Sequence, residues 1–136
     1  MSVVRFGVSL PQELITQFDA LLLRKNYPNR SEAIRDLIRS ALVEEAIHGD
    51  EQMVGVLSLI YDHHKRELQD KLTELQHSHV ESIISAMHVH LDHENCLEVI
   101  IIRGKAVHIK QLADRMIATK GIKHGNIYLT VSEKHL

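Results

Sequence analysis

Apolar and polar residues alternate along the first ten positions of the chain. The apolar positions are Val4, Phe6, Val8 and Leu10. Arg5, Gly7 and Ser9 lie between them. A period of two is typical of a strand with one buried face, so the sequence predicts a short strand here.

After the strand, the spacing of apolar residues changes to that of helices. Pro11 suits an early helical position, and a first helix is predicted to end near Asn26. Asn29, with Glu32 three residues later, has the form of a capping box and predicts a second helix. One strand and two helices in about 50 residues cannot bury their apolar faces alone. This segment is therefore predicted to dimerise.

The remainder of the chain predicts a second domain. Residues 47–53 are polar around Gly49 and predict a linker. Beyond them the pattern predicts strands at 53–61, 87–91, 96–102 and about 122–131, and helices at about 62–79 and 105–120. The order βαββαβ predicts a ferredoxin-like antiparallel sheet with two helices on one face. The predicted fold class is α+β, with domains at 1–48 and 49–136.

Composition narrows the class of protein. At 136 residues, with 44% hydrophobic and 25% charged residues, the chain predicts a globular protein without a membrane segment. A single cysteine cannot form an internal disulfide, which favours the cytoplasm. The net charge of -2 is not that of a general polyanion binder, but residues 1–40 carry six Lys and Arg against four Asp and Glu.

A cluster of metal-binding residue types lies in the second domain. Its members are His77, His88, His90 and Cys96. The strand at 87–91 places His88 and His90 on one face, and a turn at 92–95 brings Cys96 onto a neighbouring strand. Imidazole and thiolate favour a transition metal over calcium or magnesium. Three imidazoles with one thiolate suit tetragonal Cu(II) or Ni(II) at least as well as tetrahedral zinc.

The strand parity predicts where this cluster lies. If Met87 and Val89 face the helices, then His88, His90, Cys96 and Glu98 point away from them. His77, on a helix, would lie on the other side of its own sheet, so a neighbouring copy would have to supply that ligand. Apolar residues in both parities of two strands also predict that another copy covers the open face. Glu98 is predicted to accept a ring N–H from a ligand imidazole.

The N-terminal pattern resembles the ribbon-helix-helix family of repressors. The resemblance rests on the strand, the two helices and the segment Asn29-Arg30-Ser31-Glu32-Ala33-Ile34-Arg35-Asp36. It implies a two-stranded ribbon that enters the major groove of double-stranded DNA. Arg5, Gly7 and Ser9 would face the bases. Backbone amides near Asn29 and Arg30 would hold a phosphate.

Nearly the whole chain resembles the NikR family of nickel-responsive transcriptional regulators, whose second domain is ACT-like. The motifs are Tyr61-Asp62-His63-His64-Lys65-Arg66, Gln76-His77, His88-Val89-His90 and Cys96-Leu97-Glu98. The resemblance implies a homotetramer of two DNA-binding dimers that binds a palindromic operator and represses nickel uptake genes. It also implies square-planar nickel, held by His88, His90 and Cys96 of one subunit and His77 of another.

The resemblance implies further roles outside the nickel ligands. Lys65 and Arg66 would touch the DNA backbone, at the start of a helix that His63 and His64 begin. Glu32 and Asp36, one turn apart, could bind potassium or a second, weakly held metal. His79 and His93 are predicted to face solvent or to support the ligands from outside.

Three other functions are alternatives to that of a nickel-responsive regulator. A metalloenzyme needs an open coordination position, which four protein ligands do not leave, so the chain is predicted not to be an enzyme. A regulator that senses another metal or an amino acid through an ACT-like domain stays open, as does a metal store.

Overall fold

The computed structural model describes residues 2–48 and 51–131. The chain forms two compact units, one ending at Ser40 and the other beginning at Ala41. Gly49 and Asp50, in the middle of the predicted linker and beside the predicted domain boundary, lie outside the described residues. None of the helices in the described ranges is long and apolar enough to cross a membrane.

Two helices make up the first unit and lead into the second. Helix α1 spans Gln12–Arg24 and α2 spans Arg30–Ile47. Asn29 caps α2, because the amide of Glu32 donates to Asn29 Oδ1 at 2.9 Å. Arg30 holds the two helices together through two parallel bonds to Asp19, at 2.9 and 2.8 Å. The Asn29 cap therefore begins α2 where predicted, whereas the carboxylate of Glu32 pairs with Arg35.

The first ten residues differ from their prediction. In the single chain, residues 2–10 are assigned to no strand, and the side chains of Val4 and Phe6 are 83% and 74% exposed. A strand is defined by hydrogen bonds to a neighbouring strand, and the prediction placed that neighbour in a second copy. Within the described part of one chain, the apolar side chains of this segment therefore have no surface to pack against.

The second unit has the predicted βαββαβ order. Its strands are β1 (Gln52–Asp62), β2 (Ile83–His90), β3 (Asn95–Lys105) and β4 (Ile122–Val131). Its helices are α3 (Arg66–Ser78) and α4 (Ala106–Ile117). The sheet is antiparallel in the order β2-β3-β1-β4, which is the ferredoxin-like arrangement. Helix α3 begins four residues later than predicted, after a turn at His63 and His64.

One face of the sheet is covered by the helices and buried. Along β1 and β3 every second residue is buried, including Leu57, Leu59 and Ile100 at 0% exposure. A Cβ added at Gly55 would lie 2.7 Å from Ile109 Cγ2, so α4 packs directly on this face. The opposite face is also apolar but only partly covered, with Tyr128 64% exposed.

The turn between β2 and β3 is closed by Asp92. Its Oδ1 accepts hydrogen bonds from the amides of Glu94 and Asn95, at 2.9 and 2.8 Å, and its Oδ2 accepts one from the Asn95 side chain at 3.0 Å. These bonds lower the pKa of Asp92 to about 2, and the bond from the Asn95 side chain is the largest cause. The carboxylate therefore holds the two strands in register near the predicted metal cluster.

An Asp92→Ala variant is expected to be less stable than the wild type at pH 7. The folded-state pKa of about 2 lies below the ordinary value of about 3.9, so the stabilisation is complete above that value. It is lost as the pH falls through the folded-state value. Chemical denaturation at several pH values should show the difference in unfolding free energy shrinking between roughly pH 5 and pH 2.

Asp70→Ala is the matched control for Asp92→Ala. Asp70 is exposed on α3, and its carboxylate takes part in none of the side-chain hydrogen bonds or ion pairs found among residues 2–48 and 51–131. The stability of this variant, relative to wild type, should not change with pH in that window. Equal pH profiles for the two variants would contradict the role given to the Asp92 turn.

Candidate metal centre

Cys96 and Glu98 lie on the face of the sheet that the helices cover. Both residues are 1% exposed, and both follow the buried parity of β3. The prediction that His88, His90, Cys96 and Glu98 point away from the helices is therefore wrong. Strand β2 pairs with β3 so that His88 lies opposite Glu98 and His90 opposite Cys96, which places both histidines on the same face.

His77 lies on a helix that covers the same face of the sheet as Cys96. Leu68, Leu72 and Leu75 anchor α3 in the core beneath it, so α3 lies on the same side of the sheet as Cys96. His77 itself is exposed and lines a groove with Asp70 and Glu74 on the outer side of α3. The prediction that His77 lies across its own sheet from the other three residues was therefore wrong, although His77 still points away from them in its own chain.

Glu98 is the centre of a buried hydrogen-bond network. Tyr61 Oη donates to Glu98 Oε1 at 2.6 Å, and Gln76 Nε2 donates to Glu98 Oε2 at 2.8 Å. His88 Nε2 lies 3.3 Å from Glu98 Oε1. Burial and the bond to Glu98 raise the pKa of Tyr61, which keeps its phenol protonated as a donor. One carboxylate thus connects β1, α3 and the first histidine of β2.

Cys96 is a free thiol next to this network. Burial, reinforced by the nearby Glu98 carboxylate, raises the pKa of Cys96 above its ordinary value. The sulfur is therefore a neutral thiol at pH 7 in the single chain. A metal that binds there must displace its proton.

His88 and His90 occupy the edge strand and are exposed, unlike Cys96. Within residues 2–48 and 51–131, the four predicted ligands do not come together closely enough to hold a metal. The structure places three of them on one edge of one sheet face and the fourth on the outer side of α3. The imidazoles and the thiol nevertheless fit a borderline transition metal by their donor chemistry.

The structure brings together a different group of residues that could bind a metal, and this group was not predicted from the sequence. Asp62, His63 and His64 have potential ligand atoms that all lie within 4.8 Å of one another. The sequence predicted His63 and His64 in the first turn of a helix, whereas they form the turn before α3. The signal that could have found this group is an Asp-His-His run directly after an apolar strand.

The remaining predicted site residues include two acidic residues of α2 that already have partners. Glu32 forms an ion pair with Arg35, and Asp36 accepts a hydrogen bond from Tyr27 Oη. Arg5, Gly7 and Ser9 are exposed in the first unit. Lys65 and Arg66 are exposed where α3 begins. His79 is half-buried, with its ring Nδ1 2.8 Å from the carbonyl oxygen of Leu75.

Two family profiles match the chain. Residues 54–130 match "NikR C terminal nickel binding domain", and residues 4–48 match "Ribbon-helix-helix protein, copG family". These matches confirm the fold class predicted for both parts of the chain.

Known proteins with similar sequences span nearly the whole chain. A protein of Geobacter sulfurreducens is 55% identical, over 98% of this chain and 96% of its own length. One from Desulfovibrio desulfuricans is 50% identical, over 99% of this chain and 98% of its own. Both carry the name "Putative nickel-responsive regulator".

A solved structure supports the fold independently. An uncharacterised protein of Thermotoga maritima superposes with a TM-score of 0.52 at 14% identity. The superposition covers 58% of this chain and 98% of that protein. At this identity the likeness concerns the fold alone.

Proposed function

We propose, since the chain belongs to the NikR family of nickel-responsive transcriptional regulators, that it represses nickel uptake genes by binding a palindromic operator when nickel is bound. The protein is a regulator and not an enzyme, as the family and the relatives indicate. It would act in the cytoplasm, where it would bind the operator DNA.

The metal in this proposal is Ni(II), held in a plane by His88, His90 and Cys96 of one subunit and His77 of another. The observation that carries it is the β2–β3 register, which puts both imidazoles and the thiol on one face at the edge of the sheet. Since His77 lies on the outer side of α3, it is available to a second copy. Bound nickel would supply a link between subunits, and the protein would supply the donors.

Glu98 supports the same proposal by orienting His88. Metal-bound histidines usually donate their second ring N–H to a carboxylate, which holds the ring and raises its basicity. Glu98 Oε1 lies 3.3 Å from His88 Nε2, and Tyr61 and Gln76 hold the carboxylate in place. If His88 donates from Nε2, its Nδ1 stays free to coordinate the metal.

The DNA-binding part of the proposal rests on the first unit. Residues 2–10 of two copies would pair as an antiparallel ribbon, which buries the exposed apolar parity of Val4, Phe6 and Val8. Arg5, Gly7 and Ser9 would then face the major groove. Phosphates would bind the free amides near Asn29 and Arg30 at the start of α2, and Lys65 and Arg66.

Two such dimers would form a homotetramer through the second units. The apolar sheet face opposite the helices, which includes Val56, Val99 and Tyr128, would be covered in this assembly. A dimer of dimers presents two ribbons, which matches two half-sites of a palindrome. Glu32 and Asp36 would add a site for potassium or a second metal by exchanging their present partners.

The energy needed for such a switch is small beside that of metal binding. Moving a two-state equilibrium from 1:99 to 99:1 takes about 5.5 kcal/mol of differential binding. Tightly held metals of this donor type release on the order of 10 kcal/mol or more. About half of the binding energy, used to favour the DNA-binding arrangement, would therefore be enough.

The test is a gel shift on a palindromic operator, with and without one nickel ion per subunit. The proposal expects a specific complex only with nickel. An operator complex of equal affinity in the presence and absence of nickel would overturn it. A response to an amino acid in place of nickel would favour a sensor of the ACT type.

An Arg5→Ala variant is expected to lose sequence-specific operator binding. A bidentate contact from arginine to guanine is worth about 1–3 kcal/mol, and a dimer would lose two of them. Nickel binding should stay unchanged, because Arg5 lies outside the unit that holds the metal. Fluorescence anisotropy with operator and with scrambled DNA would measure both the loss and the remaining nonspecific affinity.

Arg24→Ala provides the control for Arg5→Ala. It removes the same charge from the same unit, but at the end of α1, outside the predicted ribbon. Equal losses of operator preference in the two variants would show that Arg5 acts only through its charge.

A further inference from the structure

A groove of about 590 Å³ lies between α3 and the end of α4. One wall comes from residues of α3 between 67 and 75, and the other comes from residues between 115 and 120. Its volume lies in the range of pockets that bind small organic molecules. His77 lines a different groove, on the outer side of α3. The groove between the two helices is therefore separate from the proposed nickel ligands.

The floor of this groove is apolar. Leu68 and Leu75 belong to the hydrophobic core, and their side chains line the groove where they reach the surface. Ala118, exposed directly after α4, adds a methyl group beside them. The floor therefore offers a surface on which the apolar part of a ligand can pack.

The rim of the groove carries an excess of positive charge. Lys71, Arg115 and Lys120 line it, and Glu67 is the one acidic residue in the described part of the lining. The charged groups of the three cations take part in none of the ion pairs found in the described ranges of the chain. A concave surface with charge of one sign attracts ligands of the opposite sign. Three cations against one carboxylate leave two positive charges, which match a dianion.

The turn that carries Lys120 is fixed against α3. Thr119 Oγ1 donates to the carbonyl oxygen of Arg115 at 2.8 Å, which ties the turn to the last residues of α4. Gly121 has a φ of +103°, and a Cβ added there would lie 3.0 Å from Leu68 Cδ2. The turn thus packs directly on the first turn of α3. Since the two walls are already in place, a ligand loses less entropy-related affinity in ordering them.

We propose that this groove binds a small organic phosphate, whose apolar body packs on the floor and whose dianionic head group contacts the cations of the rim. The guanidinium of Arg115 presents a planar fork of donors that suits phosphate oxygens, and Lys71 and Lys120 add two ammonium groups. This site is independent of the nickel response, because none of these residues is a metal ligand or a DNA contact in the function proposed above.

DNA is the other source of phosphate that this chain would meet. Each backbone phosphate of DNA is a monoanionic diester between two sugars, and it brings no apolar group that would fill the floor. The combination of an apolar floor with a cationic rim therefore favours a small amphipathic phosphate over the DNA backbone.

Phenyl phosphate is the probe for this site, and inorganic phosphate and benzyl alcohol represent its two halves. Each is titrated into the full-length protein without added metal. The NMR signals of the methyl groups of Leu68, Leu75 and Ala118 report both the affinity and the location. Phenyl phosphate should bind roughly tenfold more tightly than inorganic phosphate, because burying about half of the ring is worth that much. Benzyl alcohol should bind more weakly than phenyl phosphate.

Arg115→Ala tests the cationic rim. It should weaken the binding of phenyl phosphate roughly twofold to fivefold, which is the effect of losing an exposed ion pair. Arg103→Ala is the matched control, because Arg103 is an exposed arginine on β3, outside the lining of the groove. The control should bind phenyl phosphate as the wild type does.

Ala118→Leu tests the apolar floor without changing any charge. The larger side chain should fill the space that the phenyl ring would occupy. Phenyl phosphate should then bind no more tightly than inorganic phosphate, whose own affinity should stay unchanged. Circular dichroism checks that this exposed substitution leaves the fold intact.

Three outcomes would overturn the proposal. They are equal affinities of the wild type for phenyl phosphate and inorganic phosphate, equal losses in Arg115→Ala and Arg103→Ala, and no shift of the three methyl signals with phenyl phosphate. If the signals do not shift but Arg115→Ala lowers the affinity for nonspecific DNA, the cations belong to a DNA-binding surface instead. A failed nickel response in the gel shift would leave these titrations unchanged, so the two proposals fail separately.

Discussion

A Cys96→Ala variant is expected to lose nickel-dependent operator binding and to keep its fold. Cys96 supplies the only sulfur of the proposed site, since the chain has one cysteine. Loss of a supporting residue alone typically lowers metal affinity 10- to 100-fold, so loss of a ligand should lower it by at least about 100-fold. A gel shift with stoichiometric nickel, together with a nickel-binding titration, measures the two effects separately.

The fold should tolerate this change. The change from cysteine to alanine removes the buried sulfur, one heavy atom of the core, and we expect a cost on the order of 1 kcal/mol. Circular dichroism and the midpoint of thermal unfolding check this. Operator binding without nickel should equal that of the wild type, because the first unit is unchanged.

Ile102→Val is the matched control for Cys96→Ala. Ile102 is buried on the same strand and the same face, and the change also removes one heavy atom from the core. This variant should lose a similar amount of stability and keep the full nickel response. If Cys96→Ala responds to nickel as strongly as Ile102→Val, the thiolate is not part of the sensor.

The second large effect is expected from subunits that carry different substitutions. His77→Ala and Cys96→Ala should each abolish the high-affinity nickel site when made alone. Co-expressed in one assembly, they should restore it, because a His77→Ala subunit still offers His88, His90 and Cys96. Random mixing should rebuild roughly a quarter of the sites, each with His77 from the other kind of subunit.

Nickel titration of the purified mixed assembly measures this recovery, and differently tagged subunits ensure that only mixtures are purified. The control combines His88→Ala with Cys96→Ala. Both substitutions remove a ligand from the set His88, His90 and Cys96. No subunit of this mixture therefore offers the complete set. If the first mixture recovers no more sites than the control, His77 does not reach across subunits, and the proposed square-planar site is lost with it.

Much of the second unit could be predicted from its sequence. The apolar run of β1, the helical spacing in α3 and α4 and the turn at Asp92 are local signals, and they predicted the element order and most boundaries. The start of α3 was predicted too early, because Asp62 Oδ1 accepts the His64 amide and stabilises a turn in place of the first helical residues. Local side-chain bonds of this kind compete with helix formation.

The face that carries Cys96 could not be predicted in the same way. In β3, Ile100 and Ile102 are buried beneath the helices, while Val99 and Ile101 are apolar residues of the opposite parity. A strand that is apolar in both parities does not indicate which face the helices cover. The apolar Met87 and Val89 were predicted to face the helices, which placed Glu98 on the open side. Tyr61 and Gln76 instead satisfy its carboxylate beneath the helices.

By itself, the sequence determined the order of helices and strands, the residue types able to bind a metal and the family, because each depends on neighbouring residues or on a continuous motif. Only the tertiary structure decided that Cys96 and Glu98 lie under the helices and that His77 lies on the outer side of α3. Those facts depend on contacts between strands and helices distant in the chain. Burial of the core selects one arrangement of these contacts, and no local pattern encodes that choice.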